Sequence, residues 1–378
     1  MTVEELFSLK SATIDEHIAK SVKDRWDNIS KPLDGLGEWE GLLVQIMGIL
    51  GQTDITRLKK ATVIMCADNG VVSEGISQCG QENTFLVAAL LGRGQSSAST
   101  LSGYAHSDVY TVDVGINSEQ SIEGVRDCKI RSGTRDFAVE RAMTEDECIR
   151  AVGVGMNIVS ELKDAGYHLI ATGEMGIGNT TTATALLCAL TGLDPDVVTG
   201  RGSGLSDEGL ERKKNVIKNS LHKYGLDKDK SSKMVGNISL HKIKQNALNA
   251  LCSVGGLDIA AMMGMYLGGA VYGLPIIIDG LISAVAALCA YEIMPECRDY
   301  MIPSHSGREA GVQIVLDRLG FTAFINGNMA LGEGTGAIML MPLIDMVLDY
   351  WNTAAVFADG NITNYERIDS DDISSRNA

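Results

Sequence analysis

The chain has 378 residues, enough for one large α/β unit or two domains around a substantial core. Gly accounts for 42 residues and Pro for only 6, and the glycines are clustered rather than periodic, which excludes collagen-like and proline-rich linker architectures and points to tight turns. Lys and Arg number 32 against 48 Asp and Glu, a net charge of −16 that is the opposite of a nucleic-acid binder's basic footprint, so neither DNA nor RNA is expected as a partner.

The N-terminus, Met1-Thr2-Val3-Glu4-Glu5, has neither a basic n-region nor an apolar h-region and is not expected to act as a signal peptide. Residues 1–55 read mostly as helix. From there one grammar repeats: a short continuous apolar run, a cluster of Gly, Asp, Glu or Asn, then a helical pattern. The runs are Thr62–Ala67 before Asp68-Asn69-Gly70, Val109–Val112 before Asp113-Val114-Gly115, and His168–Thr172 before Gly173-Glu174. Pro275–Ile278 before Asp279-Gly280 is a fourth, and Phe321–Ile325, leading towards Gly332-Glu333-Gly334, a fifth. Runs that are apolar throughout suit strands covered on both faces, as in a parallel sheet. The polar clusters then gather at the carboxyl ends of the strands, where open α/β sheets bind ligands.

The stretch Arg212–Lys244 is rich in Lys and Arg with little apolar periodicity, and is expected to be a solvated connection between helices. Ile259–Ile278 carries no charge and is long enough to cross a bilayer. Gly264, Gly268, Gly269, Gly273 and Pro275 divide it into a small-residue helix near Asp258–Tyr272 and a β-branched strand, so buried core is expected and no membrane association. Ala337–Val356 has apolar helical spacing, and the polar, acidic tail from Asp359 is expected to fray. No internal repeat is visible. The expected organisation is an α/β fold, with residues 56–336 as the large domain and residues 1–55 plus 337–378 as a small helical one.

The eight cysteines lie in mostly apolar surroundings, with no CxxC pair and no His at ligand spacing. They are expected as reduced thiols of a cytoplasmic protein, and neither a metal nor another cofactor is expected. The six histidines are dispersed, the best placed being His305 in Pro303-Ser304-His305-Ser306. A G-x-S-x-G elbow and the third glycine of a dinucleotide-binding fingerprint are both missing.

Three glycine-rich turns can carry chemistry. Gly173-Glu174-Met175-Gly176-Ile177-Gly178-Asn179-Thr180-Thr181 stands between a strand and a helix and nearly matches the phosphate-cradling GxxxxGK[ST] loop, with Asn179 in place of the lysine. A triphosphate would lose its cation there, whereas a monophosphate can still sit on backbone amides and the Thr180 and Thr181 hydroxyls. The alternative is a turn that the glycines merely tighten. Gly200-Arg201-Gly202-Ser203-Gly204 runs into a helix carrying Arg212-Lys213-Lys214, and its amides plus a lysine would complete an anion site; a plain helix cap is the competing account. In Gly332-Glu333-Gly334 the flanking glycines let a ligand approach the backbone, and a partly desolvated Glu333 is a candidate general base. A helix start with a surface acid is the alternative. Asp68, Glu74, Glu174 and Asp279 are further acids at strand ends, expected mainly to position or cap.

Taken together, Lys31–Gly37, Ala67–Val71 with Glu74–Ser77, Gly173–Thr181, Gly200–Gly204, Gly255–Ala260, Ile278–Gly280, Ser304-His305 and Leu331–Gly336 resemble, in order and spacing, the nicotinate-nucleotide–dimethylbenzimidazole phosphoribosyltransferase family over about residues 20–355. The resemblance implies a homodimer whose subunit has a Rossmann-like parallel sheet of about six strands flanked by helices, with a small helical bundle from both termini. It implies transfer of ribose 5-phosphate from nicotinate mononucleotide to 5,6-dimethylbenzimidazole in cobamide assembly, releasing nicotinate. By motif, Glu333 becomes the general base and Glu174 a second active-site carboxylate. Gly176, Gly178, Asn179, Thr180, Ser203 and Lys213 become the phosphate and ribose contacts, and Cys79, Val87 and Met175 line the base pocket. The sequence departs from the family pattern at Asp34-Gly35, Asn69, Cys79-Gly80, Val87 and Gly307. These departures leave open a different acceptor, such as another benzimidazole, adenine or a phenol. A non-catalytic mononucleotide sensor, unaffected by Glu333→Gln, is the alternative from another class.

Overall fold

The computed structural model describes residues 1–202, 204–227 and 239–367. Contacts divide the chain into two compact units, one of Met1–Ala12 with Lys59–Met341 and one of Thr13–Leu58 with the described residues from Pro342 onward.

The larger unit is built on a six-stranded sheet in the order β3-β2-β1-β4-β5-β6. The strands are β1 Lys60–Ala67, β2 Ser107–Gly115, β3 Val125–Asp127, β4 Leu169–Met175, β5 Ile276–Ile278 and β6 Met301–Pro303. All neighbours pair in parallel. Every residue of β1 is buried, as a continuous apolar run in a doubly covered sheet requires. The order places β1 beside β4 at the sheet's centre, where the chain changes winding direction, so the loops after these two strands diverge and leave a crevice.

The run Phe321–Ile325 does not form a strand of this sheet. Strand β8 is Ile325–Met329, and it pairs in parallel with β7, His305–Gly307, in a separate two-stranded sheet. The sheet gains its outer strands instead from Val125–Asp127 and Met301–Pro303, which are too short to leave a periodic signature.

The charge-free stretch is the centre of the core. Helix Leu257–Tyr272 is buried at every position from Leu257 to Ala270, and no helix among the described residues is long and apolar enough to cross a membrane. It packs on helix Glu145–Asp164 through glycines: a Cβ on Gly155 would stand 1.9 Å from the Ala261 carbonyl oxygen, and one on Gly264 2.0 Å from that of Val152. Much of the glycine excess therefore serves backbone contact between helices as well as turns.

The first twelve residues join the larger unit rather than the helical one. Ala12 N donates to the Ala270 carbonyl at 2.7 Å and Lys244 Nζ to that of Phe7 at 2.6 Å. Arg212 to Lys223 is not a connection but the second half of helix Asp207–Lys223, and the remainder of that basic stretch lies partly outside the described residues.

In the smaller unit, helices Glu16–Asn28 and Glu38–Leu50 enclose Trp26, which is fully buried and stacks on Tyr350 at 6.1 Å. The tail is ordered as far as it is described. Arg367 reaches Asp27 at 2.7 Å and Asp34 at 2.8 Å, held by carboxylates that the sequence separates from it by most of the chain.

Candidate active site

At the carboxyl ends of β4 and β5 opens a cleft of about 650 Å³. Its wall includes Glu174 to Thr180, Gly200 to Gly202, Asp279 to Ser283, Gly307 to Ala310 and Leu331-Gly332. Two of the three glycine-rich turns thus meet in one cavity, and the third contributes its first glycine.

One end of the cleft is cationic. Gly178 turns the chain at a φ of 91° into helix Asn179–Thr191. The amides of Asn179, Thr181 and Thr182 bond back to the Gly176 and Gly178 carbonyls, and that of Ile177 donates to the Thr84 hydroxyl at 3.1 Å. Those amides are therefore committed, and the positive charge comes from elsewhere. Lys213 on helix Asp207–Lys223 is buried and donates to Thr180 Oγ at 3.0 Å. A Cβ on Gly202 would stand 3.0 Å from that hydroxyl and 3.7 Å from Lys213 Nζ, so glycine keeps the approach open. The lysine missing from position 179 is thus supplied by a second helix. Burial pulls Lys213 down to about 8, opposed by the nearby charge of Glu309. An anion bound there would raise it again. Ser203 lies outside the described residues.

The other end is acidic. Glu174 is the penultimate residue of β4, and its carboxyl stands 3.0 Å from the position of a Cβ on Gly332. The buried Asn179 amide donates to Glu174 and, at 3.1 Å, to Asp258 Oδ2. Asn179, expected among the phosphate and ribose contacts, has its amide clamped between two carboxyls while it borders the cleft. Burial, reinforced by the Asp258 charge, pushes Glu174 up to about 8, and burial pushes Asp258 up to about 6. Glu174 thus carries a proton near neutrality, a form that can donate a hydrogen bond.

Glu333 occupies a left-handed turn at φ 57°, between Gly332 at 90° and Gly334 at 80°. The turn lies directly on β4, since a Cβ on Gly173 would come within 2.9 Å of the Glu333 carbonyl. Glu333 Oε2 accepts from the Ala98 amide at 3.1 Å, in the first turn of helix Ser97–Ala105, where the helix dipole favours an anion. The side chain is half-buried.

The remaining acids brace the site. Asp279 Oδ1 accepts from the Gly336 and Ala337 amides at 2.8 and 3.0 Å, capping the helix that follows Glu333. Asp68 Oδ2 holds the Asn117 amide at 2.8 Å. Glu74 sits near Asp136 and does not border the cleft. His305 bonds Ser304 at 2.9 Å and packs against Gly336, where a Cβ would stand 2.1 Å from its ring. Of the positions assigned to the base pocket, Met175 borders the cleft, whereas Cys79 is exposed, Val87 is half-buried on helix Glu82–Gly92, and neither lines it; Ile76 and Ser77 do. Among the described residues, no group of three or more His, Cys, Asp and Glu side chains is arranged to hold a metal ion.

Sequence reasoning gave no role to Asp258, Thr84 or Glu309. Asp258 follows Gly255-Gly256 at a helix start, a weak signal; Thr84 and Glu309 have none, because they are brought in by helices and loops remote in the chain.

The phosphoribosyltransferase family model matches residues 12–362. A nicotinate-nucleotide–dimethylbenzimidazole phosphoribosyltransferase of Ruminiclostridium cellulolyticum is 39% identical over 98% of this chain and 100% of its own. One of Clostridium tetani, with the same name, is 37% identical over 93% of each. The crystal structure of CobT from Thermus thermophilus superposes with a TM-score of 0.82 at 32% identity, covering 92% of this chain and all of the other.

Proposed function

The chain belongs to the nicotinate-nucleotide–dimethylbenzimidazole phosphoribosyltransferase family, and from that premise we propose that its cleft moves 5-phosphoribose from nicotinate mononucleotide to a benzimidazole-type base in cobamide assembly. The observation that carries the assignment of roles is the cleft that runs from Thr180, backed by the buried Lys213, to Glu174, with Glu333 in the turn whose Gly332 enters the wall.

The phosphate sits at Lys213, the Thr180 hydroxyl and the Gly202 turn, and Gly176 and Gly178 lie in the wall beside the sugar, where a Cβ on either would strike Ala67 or Val72 behind the loop. Fixing the phosphate away from C1′ positions the sugar for in-line displacement. The pyridine nitrogen of the mononucleotide is cationic, so when the N–C1′ bond breaks the electron pair neutralises that nitrogen and nicotinate leaves without further charge compensation. One imidazole nitrogen of the acceptor attacks C1′ from the opposite face, which inverts β to α. As the new bond forms, the acceptor ring becomes cationic, and Glu333 takes the proton from its second nitrogen. The products are α-ribazole 5′-phosphate and nicotinate. Glu174, which carries a proton near neutrality, is available to the bound sugar or base as a hydrogen-bond donor rather than as a counter-charge. Met175 and the Ile76-Ser77 segment are the assigned neighbours of the base.

The exposed Leu86 and Leu90 on helix Glu82–Gly92 support a homodimer, and eight unpaired cysteines support the cytoplasm, where thiols stay reduced.

Nicotinate release by the purified protein is the test, measured with nicotinate mononucleotide and each of benzimidazole, 5,6-dimethylbenzimidazole, adenine and phenol. Release should depend on one of these acceptors and fall by about 10²-fold or more in Glu333→Gln. Binding of the mononucleotide with no release from any acceptor would return the protein to a sensor role.

A further inference from the structure

Glu309 is a carboxyl group in the cleft wall that the steps above leave idle. It immediately precedes helix Ala310–Leu319, yet its side chain makes no capping bond to that helix. It is turned instead towards the Gly200 loop, where its Oε1 stands 3.8 Å from the position of a Cβ on Gly200. Burial raises its titration, and Lys213 is the charge that opposes the rise. Its carboxylate makes no hydrogen bond or ion pair with any described residue, and only its backbone carbonyl is engaged, by the Val312 amide.

The other carboxyls of the wall are engaged. Glu174 takes the Asn179 amide, and Asp279 takes those of Gly336 and Ala337. Glu309 is left as an acceptor with no donor, and a part-buried carboxylate without donors carries a desolvation cost that a bound ligand would relieve. A sugar phosphate anchored at Lys213, with C1′ towards Glu174, runs along this wall. Its two ring hydroxyls are the donors it brings.

We propose that Glu309 accepts the 2′,3′-diol of the bound mononucleotide and is the residue by which the cleft selects ribose over deoxyribose. The assignment rests on the phosphoribosyl-transfer role proposed above. It differs from a purely electrostatic role on Lys213, because a weakened lysine would cost ribose and deoxyribose substrates equally, whereas a lost diol acceptor costs the ribose more, by its bond to the hydroxyl that the deoxy sugar lacks.

The test pairs two substrates with two variants. Calorimetric binding of ribose 5-phosphate and 2-deoxyribose 5-phosphate, and kcat/KM for nicotinate mononucleotide and its 2′-deoxy and 3′-deoxy forms, are measured for the parent, Glu309→Ala and Glu309→Gln. The parent should prefer the ribose form by about tenfold or more, in keeping with a hydrogen bond to a charged acceptor. Glu309→Ala should bring the preference close to unity, and Glu309→Gln, which keeps one acceptor oxygen, should fall between. A parent without preference, a preference that survives in Glu309→Ala, or an equal loss for both sugars would overturn the proposal. If Glu309→Ala does not fold, Glu309→Gln carries the comparison alone. Nicotinate release reports separately on the transfer reaction, so failure of that role appears as absent turnover and failure of this one as an unchanged ratio.

Discussion

Glu174 shows how one position can be costly to the fold and useful to the site. Its carboxyl titrates at about 8 in the folded protein against an ordinary 4.5, because burial and the Asp258 charge disfavour the anion. The unfolded chain releases this proton near 4.5 while the folded chain keeps it until about 8, so the contribution to stability falls as pH rises through that window. Glu174→Gln should therefore melt higher than the parent at pH 8, by about 2–4 kcal/mol in unfolding free energy, and the difference should vanish towards pH 4. Thermal melts of the two proteins across pH check this, and a difference independent of pH would refute the assignment. At the cationic end the sign reverses: Lys213 sits below its unfolded value, so an arriving phosphate should draw a proton onto it near pH 8–9. Calorimetry in buffers of different ionisation enthalpy detects that uptake. Lys213→Met should abolish it and raise KM for the mononucleotide by about 10²-fold, with a smaller effect on kcat.

At the scale of the elements, helices Glu145–Asp164 and Leu257–Tyr272 meet backbone to backbone. Gly155 and Gly153 lie two residues apart on the first of them and separate packing from propensity. A Cβ on Gly155 would collide with the Ala261 carbonyl at 1.9 Å, whereas one on Gly153 would meet nothing within 4 Å. Both gain about 1 kcal/mol of helix propensity as alanine. Gly153→Ala should therefore stabilise by about 0.5–1 kcal/mol, and Gly155→Ala should destabilise by about 2 kcal/mol or more, because the helices must separate. Chemical denaturation of the pair decides it: equal effects would mean the helices shift freely. The same close packing accounts for what the apolar stretch Ile259–Ile278 concealed. Composition alone allowed a bilayer span, and the interrupting glycines told against it by marking where a second helix lies against the backbone.

For the molecule as a whole, Trp26 is the largest fully buried side chain, and it lies in the smaller unit. Trp26→Ala should cost about 3–5 kcal/mol there. Hydrogen exchange should then show lost protection in Glu16–Asn28 and Glu38–Leu50, with β1 and β4 retained; simultaneous loss in both units would mean that they unfold as one. Much of this architecture was legible in the sequence. Nearly continuous apolar runs ending in polar clusters marked four of the sheet's six strands, since strands covered on both faces carry few polar side chains, although β2 is covered only in its second half. The glycine-rich turns and Glu333 stood out because conformations with positive φ restrict the choice of residue. Spacing along the chain could not say which turns share a cavity, nor that the amide of Asn179, expected among the phosphate and ribose contacts, clamps Glu174 and Asp258. Nor could it show that Lys213 reaches Thr180 of the first loop from a second helix, that Cys79 and Val87 stand away from the cleft, or that the Glu309 carboxylate faces it without a donor. Strands and turns are set by neighbours in sequence, through burial pattern and backbone torsion. The pairing of charges across a cleft is set by how the helices pack on the sheet, and those distances exist only once the chain has folded.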